Sequence, residues 1–129
     1  MTLFSKIIIG EIPSYKIAED ENFYAFLDIH PLTKGHTLVV PKIEEDYIFN
    51  LDDEVLGSLM IFSKKVAKAI EKSVPCVRVG IAVIGLEVPH THIHLIPIQN
   101  EMDMNFKNPK LKLSAEEMTE IAEKIRESF

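Results

Sequence analysis

The chain has 129 residues, 47% of them hydrophobic and 26% charged, and its 14 Lys+Arg against 20 Asp+Glu give a net charge of −6. These values exclude a disordered or fibrous chain and argue against a general nucleic-acid or anionic-membrane binder, while one local pocket can still oppose the global sign and take a small anion. The single cysteine, Cys76, allows no internal disulfide and no Cys-rich zinc site, no apolar run approaches the ~20 residues of a membrane span, and the first residues lack a signal-peptide pattern, so a cytoplasmic protein without membrane partners is expected.

The length suits one domain over residues 1–129. Phe4 to Gly10 is a short apolar run stopped by glycine and Pro13, read as a brief helix. Tyr15–Ala18 and Phe23–Leu27 alternate in polarity around Glu19-Asp20-Glu21-Asn22 and predict a hairpin. His36–Val40 reads as a further strand, closed by Pro41. Asp52–Ser73 is the strongest helix: Asp52 can cap it, and Val55, Leu59, Phe62, Val66 and Ile70 form one apolar stripe. Val77–Ile84 and His90–Ile98 are expected strands, and Gln99–Pro109 a connecting loop. Ser114–Ser128 is a second helix with a capping box at Ser114 and Glu117 and a buried face of Met118, Ile121, Ala122 and Ile125. Hairpin strands beside segregated helices predict an α+β fold with an antiparallel sheet.

Three of the five histidines fall within His90-Thr91-His92-Ile93-His94. On a strand they share one face at ~6.6–7 Å spacing, with Thr91, Ile93 and Leu95 turned to the other. Three readings of this row are open. It can be a satisfied structural face, a metal site in which His-x-His supplies ligands, or a nucleophilic site. Imidazole is largely neutral at pH 7 and can attack phosphorus, with neighbouring imidazoles donating to phosphate oxygens.

The segment His90-Thr91-His92-Ile93-His94-Leu95-Ile96 resembles the signature of the histidine triad (HIT) family, with Gly85, Glu87, Val88 and Pro89 directly before it, as in many bacterial members. Two more blocks fit: Phe4-Ser5-Lys6-Ile7 with Gly10-Glu11-Ile12-Pro13-Ser14, and Ala25–Pro31 running through Gly35–Lys42. The resemblance covers residues 3 to 98 and leaves 100–129 as a C-terminal helical extension. It implies a five-stranded antiparallel sheet with one long helix, dimerising into a continuous ten-stranded sheet. It implies hydrolysis of a nucleoside 5′-phosphate derivative, a phosphoramidate or a dinucleoside polyphosphate, with a purine nucleotide as partner and neither metal nor cofactor. By the same resemblance His92 is the nucleophile, His94 contacts the phosphate and aids the leaving group, His90 supports the geometry and His36 approaches from a neighbouring strand. Asp28 accepts from the ribose hydroxyls, Phe4, Ile7, Phe26 and Ile29 wall the base, and Gly85 and Glu87 border the phosphates. A nucleotide-binding module with little turnover, and a metal-dependent hydrolase using the row as ligands, stand as alternatives.

Departures from the family pattern carry their own expectations. Histidine rather than glutamine at position 94 favours hydrolysis over nucleotidyl transfer. Some members carry a structural zinc site whose ligand positions correspond here to Thr2, Ser5 and Glu44, so zinc is not expected. Leu86 and the short stretch Gly80–Gly85 lack the polar loop that commonly reaches the phosphates. An ionised Glu87 facing a phosphate is repulsive, which favours a Glu87 that turns away, is protonated, or meets an amine on the leaving group.

Overall fold

The computed structural model describes residues 1–129. Its elements are α1 (Leu3–Ile8), β1 (Lys16–Glu19), β2 (Phe23–Leu27), β3 (Thr37–Pro41), α2 (Asp53–Ser73), β4 (Arg78–Ala82), β5 (Ile93–Ile98) and α3 (Ala115–Ser128), with short 3-10 turns at Ile48–Asn50 and Glu101–Met104. The strands form one five-stranded antiparallel sheet in the order β1-β2-β3-β5-β4. This is the α+β class expected from the sequence.

The caps act where the sequence places them. The Asp52 side chain accepts from Val55 N–H at the start of α2, and Ser114 with Glu117 closes a full capping box on α3. Each satisfies amides that a helix start leaves without partners. Thr2 performs the same task for α1, accepting from Ser5 N–H.

Strand alternation divides the molecule into two faces. Phe23, Ala25 and Leu27 of β2, Val39 of β3 and Ile93 and Leu95 of β5 point toward α2 and α3, where Leu59, Phe62, Val66, Ile70, Met118 and Ile125 complete a core of 18 buried residues. The intervening positions, Tyr24, Phe26, Leu38 and Val40, point the other way and meet Phe4 and Ile7 of α1 in a cluster of six. That second face also carries the histidines.

Most element ends lie within one or two residues of the sequence reading, and two segments differ more. The strand expected from His90 starts only at Ile93, where its pairing with Val39 begins. His90 and His92 lie before it, in an irregular segment whose amides bond outside the ladder: His90 N–H to Val88 O, and Thr91 N–H to Glu45 O. Thr91 gives its N–H and its hydroxyl to Glu45 O instead of to β3, which takes this segment off the ladder. Gln99–Pro109, expected as a plain loop, contains the 3-10 turn Glu101–Met104, closed by Asp103 Oδ2 accepting from Gln99 N–H.

No helix is long and apolar enough to cross a membrane.

Candidate active site

Each histidine of the site has one hydrogen bond that determines its tautomer, and the tautomers follow from donor and acceptor rules. Leu32 N–H donates to His36 Nδ1 at 3.0 Å, so the His36 proton is on Nε2. That Nε2–H donates to His94 Nδ1 at 2.9 Å, so the His94 proton is on Nε2 in turn. Asp28 Oδ2 lies 3.5 Å from His36 Nε2 as a weaker second acceptor. His92 Nδ1–H donates to the His90 main-chain carbonyl at 2.8 Å, leaving the lone pair on Nε2. His90 Nε2–H donates to Pro41 O, and its Nδ1 accepts from the Thr2 hydroxyl, both at 2.7 Å.

Burial favours the neutral form of His36, His90 and His94. His36 is 1% exposed, and burial, with the nearby His94 and Lys110, pushes its pKa down to about 3. Burial and His92 push His94 down to about 4, and burial lowers His90 as well. The tautomers leave one imidazole lone pair without a partner, on His92 Nε2, and one imidazole N–H, on His94 Nε2. The two rings are 5.0 Å apart, edge to face.

Two clefts of about 320 Å³ each meet at these rings. The first is largely apolar, walled by Phe4, Ile7, Phe26, Ile29, Leu38 and Val88. The second is polar, with His36, Gly85, Phe106 and Lys110 in its lining. Asp28, His30, Glu87, His92 and His94 border both. Asp28 is three-quarters or more out of solvent, accepts from His30 N–H at 2.8 Å, and has its carboxyl pKa raised by that burial.

All the sequence-derived site residues but one border these clefts. The exception is His90, fully buried behind them with both ring nitrogens engaged, its ring against Phe4 at 5.8 Å. The row thus shares a side of the chain without sharing a task, and it does not converge as a ligand set. The donor atoms that do approach one another, within 4.8 Å, belong to Asp28, His36 and His94, which are already joined by hydrogen bonds. His30, given no role from the sequence, is exposed at the junction of the clefts. Phe106 and Lys110 were not legible as site residues. The available signal was a lone aromatic, Phe106, in the otherwise polar and aliphatic run from Asn100 to Lys112.

The positions that match the zinc ligands of some family members do come together. Thr2 Oγ1 contacts His90 Nδ1 and Ser5 Oγ, Ser5 Oγ donates to Glu44 Oε1, and Glu44 Oε1 also accepts from Thr2 N–H at 3.1 Å. Those bonds, Ser5 foremost, hold the Glu44 carboxyl below its usual pKa. Two hydroxyls, a carboxylate and one imidazole do not fit a structural zinc ion, which takes thiolates and imidazoles. Here the set is a hydrogen-bonded clasp between α1 and His90.

Comparison with known proteins identifies the family. A HIT-like protein of Borreliella burgdorferi is 39% identical, over 95% of this chain and 94% of its own length. A Schizosaccharomyces pombe protein named adenosine 5′-monophosphoramidase is 36% identical over 95% of this chain and 94% of its own. The crystal structure of a HIT-like protein from Bartonella henselae superposes with a TM-score of 0.85 at 31% identity, covering 99% of this chain and 96% of that one. The HIT domain family matches residues 9–101, and the chain, with its tautomer-ordered histidines between two clefts, belongs to that family.

Proposed function

We propose that this chain hydrolyses nucleoside 5′-phosphate derivatives by covalent catalysis at His92, acting as one unit over residues 1–129. The observation that carries the reading is the junction itself: a free imidazole lone pair and a free imidazole N–H side by side, with an apolar cleft on one side and a polar one on the other. A purine base suits the cleft of Phe4, Ile7, Phe26 and Ile29, and the two oxygens of Asp28 suit a ribose diol. The α-phosphate then lies at His92 and the leaving group in the polar cleft.

In the proposed step, His92 Nε2 attacks the α-phosphorus and forms a P–N bond while the bond to the leaving nitrogen or oxygen breaks. The His94 Nε2–H hydrogen-bonds the departing atom, which keeps the bonding pair and takes its proton from solvent. Water then attacks the nucleotidyl-His92 and gives up a proton to solvent, the P–N bond breaks with its pair returning to His92 Nε2, and the nucleoside monophosphate departs. His36 orients His94 without touching substrate, and His90 orients His92 through its carbonyl. Glu87 is exposed at the junction, where an amine on the leaving group meets it more favourably than a bare phosphate does. This favours a phosphoramidate over a dinucleoside polyphosphate.

The test is AMP release from adenosine 5′-phosphoramidate, with chelator present and diadenosine tetraphosphate run in parallel. His92→Ala is expected to lower release by about 10³-fold or more. Release abolished by chelator, or undiminished in His92→Ala, overturns the mechanism. AMP binding without any release by the parent points to a binding module instead.

A second copy of the chain is proposed along β4. The edge strand β1 is packed by α3, where Arg126 donates to Lys16 O, and β4 is the edge strand at the other end of the sheet. Beside it Ile81, Ile84, Leu86, Phe49 and Met60 are exposed, an apolar edge that a monomer rarely leaves bare. Pairing β4 with its copy gives a continuous ten-stranded sheet, and Ile81→Lys is expected to halve the mass measured by light scattering.

A further inference from the structure

We propose that the segment following β5 builds a leaving-group subsite in which Lys110 binds an anionic group, carboxylate or phosphate, carried by the departing half of the substrate. The proposal rests on the hydrolase reading for the position of the α-phosphate. The residues concerned lie beyond the family match, which ends at residue 101.

The segment is held at several points. Met104 packs on β4 at Gly80, where an added Cβ would stand 2.7 Å from its Sδ. Asn108 Nδ2 donates to Met102 O at 2.7 Å, and Leu111 N–H donates to Pro31 O at 2.9 Å, tying the far end to the β2–β3 connection. Between these anchors the Phe106 ring meets His94 edge-on at 4.9 Å and His36 at 6.4 Å. The segment is thereby packed on the two histidines that line the leaving-group side.

This seating delivers Lys110 to the polar cleft. Its Nζ donates to Phe106 O at 2.5 Å and to Asn108 O at 3.0 Å. An ammonium has three donors, so one remains for a ligand. The two carbonyls hold the head in place without cancelling its charge, and Lys110 belongs to none of the ion pairs of the chain. Among all residues lining the two clefts it is the one lysine or arginine. His36 and His94 add no positive charge there at neutral pH, because burial keeps them neutral.

The acidic groups facing the cleft are Asp28 and Glu87, and both also line the nucleoside cleft, which places them at the junction. Lys110 lines only the second cleft, and its charge reaches Asp28 and His36. The lining of that cleft therefore changes from acidic at its junction with the nucleoside cleft to basic at Lys110. Ammonia, the leaving group of an unsubstituted phosphoramidate, is too small to span that change. A longer leaving group that ends in an anion spans it, and a cleft of about 320 Å³ accommodates one.

The test compares adenosine 5′-phosphoramidates bearing an N-carboxyethyl or an N-propyl group, with diadenosine tetraphosphate as the phosphate arm. For each, kcat/KM and equilibrium affinity are measured on the parent, Lys110→Ala, Lys110→Arg and Lys110→Glu. The parent is expected to prefer the carboxyethyl compound to the propyl one by about two- to fivefold, the upper range of one solvent-accessible charge contact. Lys110→Ala removes the preference, Lys110→Arg keeps most of it, and Lys110→Glu reverses it. A larger Lys110→Ala loss on the tetraphosphate than on the carboxyethyl compound identifies phosphate as the preferred anion. A parent without preference for either anionic compound, or a preference that survives Lys110→Ala, overturns the subsite. Absence of turnover by the parent overturns the hydrolase reading alone; the ratio is then taken from the affinities, and equal affinities overturn the subsite independently.

Discussion

The face of the sheet under α2 and α3 and the face that carries the histidines are built from alternate residues of the same strands, yet they are made of different material. The first is an apolar core of 18 buried residues in which the one buried side-chain polar atom without a partner is Ser63 Oγ. The second buries six apolar residues together with His36, His90, His92 and His94, each of them hydrogen-bonded. Apolar burial without direction suffices for the first. The second needs directed bonds, since an imidazole buried without partners is costly. The contrast assigns stability mainly to one face and chemistry to the other.

Substitutions on the two faces should therefore move different measurements. The largest effect belongs to the histidine face: His92→Ala lowers AMP release by about 10³-fold or more while leaving the denaturant midpoint nearly unchanged. Next comes Leu59→Ala at the centre of the helical face, where the side chain is 0% exposed. It should cost about 2–5 kcal/mol in equilibrium unfolding, with kcat of the folded protein preserved. A Leu59→Ala protein that stays stable but loses turnover would break the division.

The histidine face also contributes to stability, through pH. His36, His90 and His94 have folded pKa values below the ordinary 6.5, so between that value and the folded ones the unfolded chain binds more protons. Stability is then complete above about pH 6.5 and falls on acidification toward the values of about 4 for His94 and about 3 for His36. Asp28, with its raised pKa, works in the opposite direction at the acidic end. Denaturant unfolding between pH 7 and pH 5, above the carboxylate range, isolates the histidines, and His36→Asn should flatten the slope.

Thr2 links the two kinds of task. It caps α1, which carries Phe4 and Ile7, and it holds His90, whose carbonyl orients His92. Thr2→Val should cost about 1–2 kcal/mol of stability and weaken AMP binding in a calorimetric titration, while Thr2→Ser restores both. The smallest effect is a gain: Ser63→Ala removes the orphaned hydroxyl and should stabilise by about 1 kcal/mol, with activity unchanged.

Much of this was legible along the chain. The stripe on α2 and the capping box on α3 are local patterns, since helix periodicity and capping involve residues only three or four apart. The site residues from Phe4 to His94 were legible because three motif blocks carried them, and all but His90 border the clefts. What misled was the assumption of an unbroken strand from His90. A period of two gives three equivalent histidines, whereas the chain enters the ladder at Ile93 and sets His90 apart.

By itself the sequence determined the α+β class, the helices with their caps, the alternation that separates core from site, and which histidines are candidates to react. These depend on residue type and short-range spacing. Tertiary structure decided the tautomers of His94 and His90, whose partners come from distant segments: His36 for His94, Thr2 and Pro41 for His90. It also decided that Phe106 packs on His94 and that Lys110 lines the polar cleft. Anchors at Gly80 and Pro31 hold that segment in place. Contacts between segments so far apart in the chain leave no periodic trace in a sequence, so only the folded backbone brings them to one place.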